Sequence, residues 1–292
     1  MIRLSLLLAL VIGSIAGNAQ ADTTQYKKVE FPEGYTSQLN VLYTKAGNWE
    51  GYVDIYLPPK ANGLSPVVVN IHGGGWNKGS KESQTGFSTF FKKGYAVANV
   101  AYRLSQQATA PAAVEDVRCA IIYLINHAKE LNIDVNKIVL MGGSAGGHLA
   151  MVAGFTGNDK KFDKNCIATK PVQIAAIIDK YGVADVGYWK SKSVQQWLGD
   201  KAGDEKFIKS VSPLYLVNKK VPPVFIVHGD ADPTVPYQQS LDLKKKLDDA
   251  GVKNKMITIP GGVHGKFSKE ENSMINKEII QFLQELNIHQ KS

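Results

Sequence analysis

Residues 137–154 read KIVLMGGSAGGHLAMVAG and join a short apolar run to a helical stretch through a glycine-rich turn. The turn, Gly142-Gly143-Ser144-Ala145-Gly146, fits the pattern G-x-S-x-G, in which a serine on a sharp strand-to-helix turn is exposed at the end of a sheet. Glycines beside the serine give the backbone the freedom that such a turn needs. The pentapeptide alone fits a glycine-rich turn that merely contains a serine equally well, so the surrounding sequence has to separate the two interpretations.

Apolar runs with the composition of buried strands recur on both sides of this turn. Continuous runs of this kind are typical of strands buried on both faces of a parallel sheet. Amphipathic helical patterns lie between several of them, which predicts an α/β fold with a mainly parallel sheet of about eight strands and helices on both faces. The first two runs have no helix between them, so we expect the sheet to begin antiparallel. The predicted strands are Val53–Leu57, Val67–Ile71, Tyr95–Val100, Ile138–Met141, Ile174–Ile178, Val224–Val227 and Met256–Ile259. The predicted helices are Ala112–Glu130, Gly147–Gly154, Ser240–Ala250 and Ser273–Leu286.

The segment Asp185–Asn218 interrupts this alternation. It is rich in Lys, Ser, Trp and Gly, and it is longer than a simple connection between two elements. We expect it to form a small cap over the C-terminal edge of the sheet, bearing Trp189 and Trp197. It is too short for a second domain, so residues 22–292 are predicted to form a single domain.

The first residues have the features of a signal peptide. Arg3 precedes an apolar stretch that runs to Ile15, and Ala19-Gln20-Ala21 resembles a cleavage site, with the cut after Ala21. The apolar stretch is shorter than the roughly 20 residues of a spanning helix, so we do not expect it to stay as an anchor. Residues 1–21 therefore predict a secreted or periplasmic protein that is not bound to a membrane after cleavage.

Charge and cysteine content narrow the possible partners. The formal net charge of +8 comes largely from scattered lysines and is not interleaved with aromatic residues, so we do not expect nucleic acid as a partner. Cys119 and Cys166 can form one disulfide, which an exported protein permits, but their spacing does not show whether they pair. Neither cysteine has the Cys or His neighbours of a zinc site.

A second glycine-rich loop follows the predicted strand Val67–Ile71. It reads HGGGW at residues 72–76, and a run of glycines lets backbone N–H groups approach a developing oxyanion. We predict that the N–H groups of Gly74 and Gly75 bind the oxyanion together with that of Ala145. Residues 74–81 also approximate a phosphate-binding loop, but Ser80-Lys81 reverses the required Lys-Ser order.

A serine nucleophile needs a histidine base and a carboxylate that orients it, and in this chain order the acid precedes the histidine. His264 is the candidate base because it lies in a loop directly after a predicted strand, in Gly261–Gly265. The other histidines belong to the glycine loop, to helices, to the segment before the acid or to the C-terminal tail. Asp230 and Asp232 both follow the strand Val224–Val227, and their chemistry alone does not separate them.

Five blocks of sequence together resemble a known family. They are HGGGW (72–76), AYRLS (101–105), GGSAGGHLA (142–150), HGDADPTVP (228–236) and GGVHG (261–265). The set resembles α/β-hydrolase esterases related to hormone-sensitive lipase, and is most similar to bacterial bifunctional feruloyl and acetyl xylan esterases. The resemblance implies that Asp232 is the acid of a Ser144-Asp232-His264 triad, and that His148 has a structural role. Val183 departs from the family pattern, which often has proline there.

The resemblance implies a serine carboxylesterase for short acyl esters, such as acetyl or feruloyl esters on xylan, with no metal or organic cofactor. Two other enzymes share part of the pattern. Peptidases related to prolyl oligopeptidase carry HGxxDxxVP, usually with a large partner domain, and amidases similar to kynurenine formamidase carry the HGG-x-W element. A third alternative is an inactive hydrolase fold used for binding, although such proteins usually lose the serine or the histidine.

Overall fold

The computed structural model describes residues 27–60 and 63–290, so the predicted signal peptide lies outside the described residues. These residues form an eight-stranded sheet. The seven predicted strands are all present, although the run predicted at 174–178 forms its strand two residues later. The strands are β1 (Thr36–Ala46), β2 (Trp49–Leu57), β3 (Ser65–Ile71), β4 (Ala96–Val100), β5 (Ile133–Gly143), β6 (Ala176–Lys180), β7 (Val224–Gly229) and β8 (Asn254–Ile259).

The order of the strands across the sheet is β1-β2-β4-β3-β5-β6-β7-β8. β2 pairs antiparallel with both β1 and β4, and the remaining neighbours pair in parallel. The predicted antiparallel start is confirmed, but β2 lies beside β4 instead of β3. The sequence analysis missed β1 because this edge strand is mostly exposed and has no continuous apolar run.

Helices cover both faces of the sheet, as predicted. The predicted helix over residues 112–130 is divided at His127, whose ring Nδ1 lies 2.9 Å from the Tyr123 carbonyl oxygen and whose backbone is not helical. The helices are α1 (Ser88–Phe91), α2 (Ala112–Asn126), α3 (Ala128–Leu131), α4 (Ala145–Phe155), α5 (Lys192–Leu198), α6 (Glu205–Ser210), α7 (Pro213–Leu216), α8 (Gln238–Asp249) and α9 (Lys269–Glu285). None of the helices in the described ranges combines the length and the apolar character needed to cross a membrane.

The core has two layers, one on each face of the sheet. β3 illustrates how the sequence builds them, because every residue of this strand is buried and successive side chains point to opposite faces. Val67, Val69 and Ile71 belong to the layer that also contains residues of α2, α4 and α8, whereas Val68 belongs to the layer that contains residues of α1 and α9. Burial on both faces explains why the central strands are apolar throughout.

Residues 185–218 form the predicted cap between β6 and β7, and contain α5, α6 and α7. Ser191 and Asp204 cap the first two of these helices, because their side chains accept hydrogen bonds from the backbone N–H groups of Val194 and Phe207. Trp197 of α5 is fully buried against the body of the protein. The cap is therefore packed onto the domain and does not extend into solvent.

The two cysteines form a disulfide between α2 and the loop that follows the turn at residues 160–162, with a Cα–Cα distance of 5.4 Å. The bond closes a loop with a sequence separation of 47 residues. In the chain-entropy treatment, a loop of this length stabilises the fold by about 4 kcal/mol.

Replacing both Cys119 and Cys166 with alanine is expected to lower the free energy of unfolding by about 4 kcal/mol, because the unfolded chain regains the entropy of the open loop. Urea unfolding of the oxidised protein and of the double variant measures the difference. Wild-type protein unfolded under reducing conditions is the control, and it should behave like the double variant. Equal unfolding free energies with and without the bond would contradict the prediction.

Candidate active site

Ser144 lies on a strained turn between β5 and α4. Its backbone has φ 56° and ψ −123°, which a residue with a side chain rarely adopts. The backbone N–H of Ser144 donates to the carbonyl of Lys180 at 2.9 Å, which fixes the turn against β6. A Cβ atom at Gly146 would lie 2.1 Å from the carbonyl oxygen of Ile71, so only glycine fits there. These features are those of the predicted nucleophile turn.

Asp232 and His264 are hydrogen-bonded to each other, as the resemblance implied. Nδ1 of His264 lies 2.6 Å from Oδ2 of Asp232, whose side chain is fully buried, whereas that of His264 is 21% exposed. Asp230 points elsewhere, and its Oδ1 accepts the backbone N–H of Gly261 at 2.7 Å. Because the carboxylate accepts the proton on Nδ1, Nε2 of His264 is left unprotonated in the neutral ring. The geometry thus separates the two aspartates, which their chemistry alone did not distinguish.

Tyr181 connects this pair to the serine turn. Its ring centroid lies 4.8 Å from that of His264, and its Cε2 would lie 3.0 Å from a Cβ atom at Gly143, beside the serine. Ser144 and His264 make no mutual hydrogen bond within the described residues. The sequence analysis missed Tyr181, since a tyrosine after a strand carries no specific pattern.

The glycine loop lies directly beside the serine. A Cβ atom at Gly73 would lie 3.5 Å from the Cβ atom of Ser144. Gly74 has φ 120°, a conformation that favours glycine, and its carbonyl accepts the backbone N–H groups of Asn77 and Lys78. Among the described residues, no acceptor receives a hydrogen bond from the N–H of Gly74 or Gly75. Ala145 is the first residue of α4, and the N–H groups of the first helical turn have no partner within the helix.

His72 and His148, which the sequence analysis set aside as bases, are both buried. Burial lowers the pKa of each ring to about 4, so both are neutral near pH 7. His72 stacks on Tyr102 with ring centroids 4.2 Å apart. His148 accepts the indole N–H of Trp76 on Nδ1 at 3.2 Å, and its Nε2 donates to the carbonyl of Val211 at 2.8 Å. His148 therefore has a structural role and joins the glycine loop to the cap.

The aromatic side chains around His148 complete this junction. Trp76 and Trp197 stack with centroids 5.0 Å apart, and each meets the His148 ring edge-on. Trp189, the second tryptophan predicted on the cap, lies 6.4 Å from Trp76. The two cap tryptophans thus pack against Trp76 of the glycine loop. The contact joins residues far apart in the chain, so local sequence patterns do not show it.

Asp179 is a buried carboxylate beneath the serine turn. A Cβ atom at Gly147 or Gly182 would lie within 2.3 Å of its Oδ1, and neither oxygen makes a hydrogen bond of normal geometry to any of the residues that the structure describes. Burial raises the pKa of Asp179 to about 7, and the backbone N–H of Gly182 opposes part of this rise. The folded protein therefore keeps the Asp179 proton over a pH range in which the unfolded chain, with a value of 3.8, has lost it.

The Asp179→Asn variant is expected to be more stable than the wild type above pH 7. Stability of the wild type falls as the pH rises from about 4 to about 7 because the folded state must eventually bury a charge, and the amide removes this cost. The gain should reach roughly 2–4 kcal/mol at pH 8 and be small at pH 4. Urea unfolding at both pH values measures it, with Asp200→Asn on the exposed cap as the control. A gain that is the same at both pH values would contradict the assignment.

Comparisons with known proteins agree with this geometry. A family model described as BD-FAE matches residues 53–247. The esterase LipQ of Mycobacterium tuberculosis is 28% identical over 74% of the chain and 54% of its own length. The chain thus spans about half the length of the curated relatives it matches.

Two solved structures share the fold over almost their entire chains. A truncated carbohydrate esterase from gut microbiota has a TM-score of 0.79 and 29% identity, covering 89% of this chain and 99% of its own. A thermophilic esterase from Thermogutta terrifontis with propionate bound has a TM-score of 0.73 and 28% identity, covering 89% and 98%. Since the family model also matches most of the chain, this protein belongs to the BD-FAE family of α/β-hydrolase esterases.

Proposed function

We propose that the protein is a serine carboxylesterase that hydrolyses short acyl esters, with acetyl or feruloyl esters on a plant polysaccharide such as xylan as its substrates. The observation that carries the proposal is the hydrogen bond between His264 and the buried Asp232, on the same edge of the sheet as the Ser144 turn. The esterase names of the relatives and of the two solved structures support it.

In the proposed mechanism, Nε2 of His264 takes the hydroxyl proton of Ser144 as the oxygen attacks the ester carbonyl. Asp232 holds the ring in the required tautomer and stabilises the imidazolium that forms. The N–H groups of Gly74, Gly75 and Ala145 bind the oxyanion, and His264 returns the proton to the leaving alcohol. Water then attacks the acyl-enzyme by the reverse sequence of proton transfers, which releases the acid and free Ser144.

The position of the cap supports a short acyl group. A Cβ atom at Gly75 would lie 2.9 Å from Oγ of Ser193, so α5 packs directly onto the loop that carries the oxyanion donors. This packing places the cap beside the donors, where it can contact the acyl group. The carbohydrate part of the proposal is supported by the carbohydrate esterase among the solved structures.

We also propose that the protein is secreted or periplasmic. The Cys119–Cys166 disulfide supports an oxidising compartment, since such bonds are rare in the cytosol. The predicted signal peptide at residues 1–21 supports the same location.

A panel of acetyl, butyryl, octanoyl and feruloyl esters together with acetylated xylan tests the substrate proposal. We expect acetyl esters, feruloyl esters or both to have a higher kcat/KM than octanoyl esters, and acetate to be released from the xylan. A preference for octanoyl esters would contradict the carbohydrate assignment. Labelling with a fluorophosphonate probe tests the nucleophile: the wild type should be labelled at Ser144, and absence of labelling would contradict an active serine hydrolase.

A further inference from the structure

The carboxylate of Asp232 has an additional partner on the oxygen that binds His264. Its Oδ1 accepts the backbone N–H groups of Thr234 at 2.7 Å and Val235 at 3.0 Å. Its Oδ2 accepts Nδ1 of His264 at 2.6 Å and also lies 3.1 Å from Nε2 of His228. The side chains of Asp232 and His228 are both fully buried. Two imidazole rings thus share one carboxylate oxygen.

The surroundings of His228 determine which of its nitrogens carries the proton. Nε2 faces two groups that only accept, Oδ2 of Asp232 and the carbonyl of Val235 at 3.1 Å, so the proton is on Nε2. Nδ1 then accepts the hydroxyl of Ser240 on α8 at 2.7 Å. Burial lowers the pKa of His228, which keeps the ring neutral. His228 is therefore a neutral donor of fixed tautomer that points at Asp232.

A donor in this position affects how Asp232 holds His264. A hydrogen bond from His228 stabilises the negative charge of the carboxylate that accepts Nδ1–H of His264. The donor also holds Oδ2 in line with Nδ1 of His264. Other titratable side chains around the Asp232–His228 pair are His264, Tyr181, Tyr237 and Asp230.

We propose that His228 is a positioning residue, which orients Oδ2 of Asp232 toward Nδ1 of His264 and stabilises the carboxylate with a hydrogen bond. The consequence is a His264 ring held in the Nδ1–H tautomer, in which Nε2 can accept the Ser144 proton. This inference rests on the proposed function only through the role of His264 as the base.

Two substitutions of His228 separate this role from packing. His228→Leu removes the donor, whereas His228→Gln keeps an N–H group near the position of Nε2. We expect the leucine variant to lower kcat/KM for an acetyl ester by about 10- to 100-fold, mainly through kcat, as for other residues that orient a catalytic group. The acidic limb of its kcat/KM profile should move upward by about 0.5–1 pH unit, since the Asp232 carboxylate beside His264 has lost a stabilising hydrogen bond. The glutamine variant should restore most of the activity and the wild-type limb, and His127→Gln is the control outside the site.

A folded leucine variant with the wild-type acidic limb would overturn the inference, as would a glutamine variant that behaves like leucine. Ring ¹⁵N NMR of the wild type gives a test that does not need the leucine variant to fold: His228 should be the neutral Nε2–H tautomer at about pH 7, and an Nδ1–H or protonated ring would overturn it. NMR titration of His264 in the wild type and the glutamine variant does not depend on turnover. If no ester is hydrolysed while these NMR results hold, the proposed function fails and the coupling of His228 to His264 stands.

Discussion

Replacing Ser144 with alanine is expected to lower kcat for ester hydrolysis by about five to six orders of magnitude, while the protein remains folded. Alanine lacks the hydroxyl oxygen that forms the acyl-enzyme, so the proposed base, which the proposed acid orients, has no hydroxyl to deprotonate. The turn itself should survive, because alanine and serine have similar difficulty in adopting φ 56°. The proposed oxyanion donors stay in place, and they are expected to account for a small residual rate over water.

The measurement is kcat/KM for an acetyl ester, together with labelling by a fluorophosphonate. The matched control is Ser273→Ala, which removes an exposed hydroxyl on α9 and should leave both readouts unchanged. A Ser144→Ala protein that keeps a tenth of the wild-type rate would exclude Ser144 as the nucleophile. Loss of activity together with a loss of helical circular dichroism would instead indicate a folding defect, and thermal unfolding of both variants distinguishes the two results.

The parts of the site that could be predicted from the sequence are those encoded by short, local patterns. The G-x-S-x-G turn needs small residues at fixed positions because Gly146 packs against the carbonyl of Ile71, and such steric demands leave a clear pattern. The central strands could also be predicted from the sequence, since burial on both faces requires unbroken apolar runs. Steric and burial constraints of this kind act on neighbouring residues, so one sequence is enough to show them.

The parts that were missed depend on contacts between residues far apart in the chain. Strand β1 forms the edge of the sheet and its side chains are mostly exposed, so its sequence resembles that of a loop. Tyr181 belongs to the site because its ring packs against that of His264. His228 belongs to it because its Nε2 lies within hydrogen-bond distance of Asp232. Of these, His228 had a usable signal: it begins the HGDADPTVP block, at the end of the strand that precedes the acid. The structure adds the direction of its Nε2, which spacing does not encode.

Asp230 and Asp232 are two residues apart and follow the same strand, so their chemistry alone did not separate them, and only the family resemblance favoured Asp232. The backbone after β7 directs Asp232 inward, where two backbone N–H groups and His264 surround its carboxylate. It directs Asp230 to the backbone of Gly261, at the start of the loop that bears the histidine. Both aspartates therefore support His264, but only Asp232 contacts its ring, and substitution can measure this difference.

Asp232→Asn is expected to lower kcat by about 10⁴-fold with little change in stability, whereas Asp230→Asn should lower it by less than about tenfold. The amide at position 232 no longer presents an anion to Nδ1 of His264, so the ring loses the group that selects the Nδ1–H tautomer and stabilises the imidazolium. The amide at position 230 still has an oxygen that can accept the N–H of Gly261, so the loop keeps its position. Steady-state kinetics of both variants on the same acetyl ester measure the contrast, with Ser144 labelling as a second readout. A larger loss at position 230 than at 232 would mean that the orientation of the loop, and not the charge of Asp232, limits the reaction.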